Sequence, residues 1–324
     1  MSTFKALIIA ICFLAISGSL YGQTCCSGGV PISGNLGMPY GSSGTWQFSL
    51  SYDINVLKTL KEGTEVLDDD ARERITQSVL FQTGYSISKR FSADLLLSYV
   101  KQERTIRQFD NTDYVSTGGI GDAALLIKYT FSDPDRSKVL VTAAAGPKIP
   151  TGKTDFTRRD GIPLNADLQP GSGSWDGLFW INGLYKFNFR PNFNIASTVI
   201  YSLKGKNNKY LTDQTYQFGN ELQVLVSLND NFPVWKSILD ATLFLRYRKA
   251  LTDRFNDLNM PNTGGEWIFL APSLGYNISQ NLAFNAAFEV PLYANVTGTQ
   301  LSPTYRLNVG VFVKFNRKNE LLKL

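Results

Sequence analysis

Histidine is absent from the 324 residues. With it go imidazole general bases, His-dependent nucleophilic triads and His-ligated metal sites. Little else is arranged for chemistry. The adjacent thiols of Cys25 and Cys26 could hold a soft cation, but two ligands make an incomplete site, so neither a metal nor a cofactor is expected. The stretch Gly146-Pro-Lys-Ile-Pro-Thr-Gly-Lys-Thr154 has the outline of a phosphate-binding loop, yet five residues separate its glycines where that loop needs four, and no helical pattern follows. Gly119-Ile-Gly-Asp-Ala-Ala124 imitates a dinucleotide-binding turn but opens a strand rather than a helix. The acidic run Asp68-Asp-Asp70 reads as a solvated loop tip rather than a calcium site. No serine–lysine or carboxylate-pair constellation stands out, so the chain reads as a non-enzyme.

The elements that must position any site are strands. Aromatic residues make up 13% and charged residues 18%, with a net charge of +5, too modest to imply nucleic-acid binding. Residues 1–22 read as a cleaved signal peptide, with Lys5, the apolar run Ala6–Ile16 and a small-residue exit at Ser17–Gly22. The apolar run is well short of the roughly 20 residues of a spanning helix. Cys12 leaves with the signal, and Thr24 before Cys25 argues against lipidation. A glycine-rich segment, 23–43, follows.

From Thr45 to Val56 every even position is apolar and every odd one polar. Strict period two describes a strand with one apolar and one wet face. The same alternation returns at 304–315, and ten further segments lie between: 75–87, 91–102, 117–131, 138–149, 174–187, 193–203, 214–228, 237–249, 266–278 and 281–293. Short connections follow the even-numbered strands and longer ones the odd. This is the pattern of an all-β, transmembrane, antiparallel up-and-down barrel of about 12 strands. Its short turns would be periplasmic and its long loops extracellular. The barrel is expected over 44–315, with a polar tail at 316–324. A soluble sandwich would bury its apolar faces; here Trp46, Tyr52, Tyr85, Phe91, Tyr99, Tyr129, Phe131, Tyr185, Phe187, Tyr305 and Phe315 sit near strand ends, as interfacial girdles do. The expected location is the outer membrane of a Gram-negative envelope, with lipid against the outer face.

Alternation also assigns the lumen. Asp53, Gln82, Asp94, Lys128, Lys186, Glu221, Gln223, Asp240, Arg246, Arg248, Glu289, Arg306 and Lys314 point inward. Both signs are nearly balanced, so the charges either line a narrow wet path or close it with ion pairs. Twelve strands fall between filled 8-stranded barrels and open porins. The longest loop, 150–173, is the one expected to fold over or into the pore.

Three motifs carry a family resemblance. Gly119-Ile-Gly-Asp122 opens a strand, Gly146-Pro-Lys-Ile-Pro-Thr-Gly-Lys153 ends one, and Leu168-Gln-Pro-Gly-Ser-Gly-Ser-Trp-Asp176 opens the next. In order and spacing they resemble the outer-membrane transporter family named for the MetA pathway of phenol degradation, over residues 117–187. The resemblance implies a barrel that passes aromatic or other hydrophobic small molecules. It marks Gly119, Gly121, Asp122, Pro150, Thr151, Gly152, Gly171, Gly173, Trp175 and Asp176 as rim residues. Glycines there permit bulges and positive φ, while Asp122 and Asp176 are placed to bind the rim and the 150–173 loop together, with ligand contact as the alternative role. The function expected is passive movement of small solutes; the alternative is a closed structural or partner-binding barrel. The oligomeric state stays open.

Overall fold

In the absence of water, every strand edge in a membrane must be paired, so a spanning sheet has to close on itself. The computed structural model describes residues 43–133, 136–190, 192–235 and 237–316. The expected signal peptide, the Cys25-Cys26 segment and the tail beyond Asn316 lie outside the described residues. Eleven continuous strands close the sheet in antiparallel pairs: Thr45–Gly63, Arg72–Ser86, Phe91–Gln108, Ala123–Thr130, Val139–Ile149, Asp176–Lys186, Asn194–Leu203, Glu221–Val234, Ser237–Ala250, Gly265–Ser279 and Leu282–Asn316.

The last of these is 35 residues long and forms two staves. Its first part pairs with Gly265–Ser279 as far as Val296, and the rest pairs with Thr45–Gly63 from Val296 to Asn316. The chain reverses at Gly298, whose φ is +71°. Across the resulting hairpin the Lys314 amide donates to the Asn281 carbonyl at 2.9 Å, and the rings of Phe288 and Tyr305 lie 6.1 Å apart. Twelve staves therefore surround the lumen.

Several strand boundaries depart from the expected segments; Phe91–Gln108 and Glu221–Val234 run past 102 and 228. The first strand runs on to Gly63, beyond Val56, through register shifts at Val56/Leu57 and Leu57/Thr59. The segment 117–131 divides at Gly121-Asp122 into Asn111–Ile120 and Ala123–Thr130, which pair with successive parts of Phe91–Gln108. The segment 214–228 divides as well. Gln214–Gln217 leaves the barrel for a separate four-stranded sheet with Asn207–Tyr210, Arg254–Phe255 and Leu258–Asn259. Tyr216 and Phe218, the apolar positions at the start of that segment's alternation, do not face lipid but are buried in that sheet against Ala166. Loop side chains give them a dry environment away from lipid.

The outer wall is apolar. Leu50, Phe81, Leu97, Ile127, Phe179, Ile181, Leu243, Leu245, Phe288 and Leu307 are all exposed. Aromatic residues border this band. Near the short turns, Phe91, Tyr129 and Phe131 pack in sequence with centroids 4.7 and 5.0 Å apart, and Tyr185, Phe187, Phe189 and Phe193 form a second cluster. Toward the long loops, Tyr52 and Tyr99 end the band and the outward face turns charged at Lys101 and Glu103, whose side chains meet at 3.0 Å. An outward cation within the band should be costly. Leu97→Arg is expected to destabilise the barrel by about 2–4 kcal/mol, and Leu97→Ala by much less, as measured by urea titration in vesicles. Equal effects of the two would count against Leu97 facing lipid.

Candidate functional site

The inward side chains form three layers. In the layer nearest the long loops, Lys148 Nζ lies 2.5 Å from Asp122 Oδ2 and 3.0 Å from Asp176 Oδ2. Lys204 Nζ is 3.5 Å from the same Asp176 oxygen, and all four residues are buried. Each comes from the end of a different strand or its adjoining turn, so the cluster ties neighbouring staves together.

The loop 150–173 enters this cluster. The Ser172 amide and hydroxyl both donate to Asp122 Oδ2, at 3.0 and 2.6 Å. The Gly152 amide donates to Asp122 Oδ1 at 3.1 Å. Thr151 Oγ1 donates to the Gly121 carbonyl and accepts from the Ala123 amide, both at 2.9 Å. Further along, the one-turn helix Ala166–Leu168 is buried. Asp167 Oδ2 accepts from Arg74 at 2.6 Å, and Arg74 also donates to the Asp167 carbonyl and to Gln102. Thr117 and Gln102 hold the carbonyls of Leu168 and Gln169 at 2.6 and 3.1 Å. The loop folds inward, as its length suggests, and apolar contacts hold it as well: Leu164 and Leu168 pack with Val115 and Phe156, and Ala166 with Tyr216 and Phe218.

The glycines of the motifs serve mostly close approach. A Cβ on Gly152 would lie 2.5 Å from Gly171 Cα, and one on Gly171 would lie 2.5 Å from the Gly152 carbonyl carbon. Of the five motif glycines Gly119, Gly121, Gly152, Gly171 and Gly173, only Gly173 has a positive φ, +70°. The expectation of a rim built on positive φ is thereby corrected: the loop needs its backbone packed against itself and the wall. Gly119 meets Pro170 of the loop. Pro150 is half-buried, whereas Trp175 is exposed.

The predicted lumen residues come together as ion pairs around the wall. Arg248 donates to Glu221 at 2.7 Å, and Arg246 donates to both Glu289 oxygens, at 2.8 and 2.5 Å. Arg306 meets Asp53 at 2.7 Å and Lys128 meets Asp94 at 2.6 Å. Gln223 bridges Glu221 and Arg246, and Gln82 donates to Asp94. The guanidinium carbons of Arg246 and Arg248 sit 4.2 and 5.0 Å from the ring centres of Phe269 and Trp267, adding cation–π contact. Lys186 and Lys314 lie half-buried at the turn ends of their strands and join none of these pairs. Asp240 has a different environment, taken up below.

Alternation did not anticipate the middle layer. Leu80, Leu96, Leu126, Leu178, Trp180, Ile200 and Leu225 point inward and pack with Ala124 and Ala144 into one apolar cluster. The signal was present as doubly apolar strand centres: Leu95-Leu-Leu97, Leu125-Leu-Ile127, Val199-Ile-Tyr201 and Val224-Leu-Val226. In each, both faces of the strand are dry.

The third layer is a cavity of about 470 Å³ on the turn side of the apolar cluster. Trp180, Ile200, Leu225 and Phe244 line its inner end, and Asn194, Asn229, Asp230 and Asn231 lie near the short turns. A smaller cavity of about 110 Å³ adjoins it and shares Leu225 and Phe244.

Residues 74–307 match the family described as the MetA-pathway of phenol degradation. The chain belongs to this family. The match extends the resemblance of the three motifs across most of the barrel. No curated protein sequence matches significantly. Among solved structures, an outer membrane channel from Pseudomonas putida F1 is similar with a TM-score of 0.66 at 11% identity, over 86% of this chain and 97% of that one. The β domain of the Bordetella autotransporter BrkA has a TM-score of 0.48 at 11% identity, over 85% of this chain and 100% of that one. The fold of this family member is that of an outer-membrane barrel.

Two tests follow from the loop-side layer. Lys148→Met leaves Asp122 and Asp176 buried with less counter-charge, and is expected to cost about 3–5 kcal/mol. The triple change Asp122→Asn, Lys148→Met and Asp176→Asn should recover part of that loss in urea unfolding. A triple variant less stable than the single one would refute the charge argument. The second test concerns Asp253, in the loop over the barrel. It accepts from Tyr216 Oη and the Gly219 amide, both at 2.7 Å. Burial pushes its carboxyl up to about 6, against hydrogen bonds that pull it down. The folded state then holds this proton more tightly than the unfolded one. Its stabilising contribution is fully present below the ordinary aspartate range and is lost as pH rises through about 6. Proteolysis within 250–265 should accelerate over that interval, and Asp253→Asn should flatten the profile.

Proposed function

We propose that this barrel is an outer-membrane channel for passive movement of small, predominantly apolar solutes, with the 150–173 loop as its gate. The observation that carries the reading is the stacking of the lumen. A cavity of about 470 Å³ reaches inward from the turn side and ends on a floor of Trp180, Ile200, Leu225 and Phe244. Beyond it the lumen wall is apolar on one side and lined on the other by the matched pairs Arg246–Glu289 and Arg306–Asp53, so a hydrated ion meets no unpaired charge there to replace its shell. The loop-side ion pairs then close the path. Charges in those pairs are matched, so the wall presents little net field to a permeant species.

Several features support the family's implied aromatic or hydrophobic solutes over sugars or ions. A sugar needs a continuous array of hydrogen-bonding partners; here one side of the lumen is apolar and the charges of the other are already paired with each other, so little compensates its desolvation. An aromatic or alkyl body loses little there. Uptake and efflux are both compatible with passive movement. Export through a cleaved signal peptide at 1–22 belongs to the same reading.

A second reading, a closed structural barrel, draws on the filled loop half of the lumen. Planar-bilayer recording with matched proteoliposome uptake separates the two. The intact protein is expected to conduct ions weakly while admitting a neutral aromatic solute. Replacing 153–170 by a short Gly/Ser linker should raise ion conductance. A loop-shortened barrel that folds, shown by a heat-shifted gel band, yet neither conducts nor admits solute would establish the closed scaffold.

A further inference from the structure

Asp240 is the exception to the charge matching. It lies on the lumen face of Ser237–Ala250, in one column with Thr242, Phe244, Arg246 and Arg248. Its Oδ2 accepts from Asn277 at 2.7 Å. Its Oδ1 is enclosed and has no hydrogen-bond partner among the described residues. No cation of those residues lies within ion-pairing distance of it. The residues opposite it in the ladders are Asn231 and Gly275, both uncharged. A Cβ on Gly275 would stand 3.2 Å from Asp240 Cβ, so glycine there keeps room beside the carboxylate.

The carboxylate lines the turn-side cavity, whose other charges are neutralised locally. Lys128 is held by Asp94 at 2.6 Å and Asp230 by Arg190 at 3.0 Å. The cavity therefore carries one unmatched negative charge near its mouth and an apolar, aromatic floor. A partly enclosed carboxylate without a counter-charge is unfavourable, and a ligand cation relieves it. A bare divalent cation is poorly served, because the lining's other carboxylate, Asp230, is held by Arg190 and the described residues bring no three acidic or thiol side chains together to enclose a metal. Phe244 lies four steps along the strand from Asp240, which is about 13 Å at 3.3–3.4 Å per residue.

From this geometry we propose that the turn-side cavity is a binding site for a primary ammonium on an extended apolar or aromatic body. The ammonium meets Asp240 and the body lies along Thr242 toward Phe244, Leu225 and Trp180. The proposal rests on the channel reading above and narrows it to a solute class.

The test uses two probes of the same shape, 4-phenylbutylammonium and the neutral 4-phenylbutan-1-ol. Their binding to the detergent-solubilised full barrel is measured by calorimetry, and their uptake is followed in proteoliposomes. A charge-assisted hydrogen bond to Asp240 corresponds to about tenfold tighter binding of the ammonium than of the alcohol. Asp240→Asn should bring the two level without weakening the alcohol, and Asp240→Glu should keep the preference. A heat-shifted band confirms that each variant is folded. Equal affinities in the unmodified protein, or a preference that survives Asp240→Asn, would overturn the assignment. Should neither probe bind while the alcohol still enters proteoliposomes, the ammonium site is wrong and the channel stands. Should neither bind nor enter, and the loop-shortened barrel stay silent, both readings fall.

Discussion

The loop side of the barrel depends on one lysine held between two aspartates. Lys148 ends the strand before the long loop, Asp176 begins the strand after it, and Asp122 stands where the preceding wall is interrupted. Bringing the ammonium between the carboxylates brings these three chain points together. The Asp122 carboxylate then receives the loop's own donors, Ser172 and Gly152. Without its cation, the same site would hold two buried anions side by side, which repel and are poorly solvated. The cluster therefore selects a folded loop over a displaced one, and its polar character matters. The loop is docked in both ways: its ion pairs and hydrogen bonds can be exchanged for solvent at modest net loss, whereas Leu164, Ala166 and Leu168 give up apolar contacts if it leaves.

This dependence explains why the motif glycines are arranged as they are. The loop must pass within van der Waals contact of itself at Gly152 and Gly171 and of the wall at Gly119. Any side chain at the first two positions would hold Thr151 and Ser172 away from the aspartate cluster. Spacing between the motifs in the sequence is thus a record of three-dimensional closure. That is why it resembles a family pattern although it matches neither a phosphate loop nor a dinucleotide turn.

Period-two alternation made the barrel legible because lipid and lumen impose opposite polarities on successive residues. It made the ion pairs legible for the same reason: Asp53, Glu221, Arg246 and Arg306 are polar where a lipid-facing neighbour is not. It failed where the lumen is itself dry. Leu96 between Leu95 and Leu97, and Ile200 between Val199 and Tyr201, give no contrast between faces, so the apolar layer hid inside what looked like imperfect strands. It failed again at Tyr216 and Phe218, where the long loops bury aromatics in their own small sheet. Both surroundings are dry, and alternation alone cannot distinguish lipid from protein.

In the channel proposed above, the order of the layers sets how the lumen discriminates. A solute arriving from the turn side would meet hydroxyls, amides, the Asp240 carboxylate and the paired Lys128 and Asp230 first, then Trp180, Ile200 and Leu225, and only then the loop-side ion pairs. A hydrated ion would lose its shell at the middle level, where the charges on the far wall are already paired and do not replace it. An apolar body would pass that level but find at the loop-side layer a set of charges likewise satisfied by each other. Opening for it does not require breaking Arg246 from Glu289 or Arg306 from Asp53, which lie against the opposite wall; it requires withdrawing the loop that Asp122, Lys148 and Asp176 hold. Discrimination against ions and control of opening are thereby assigned to different side chains, and either can change without the other.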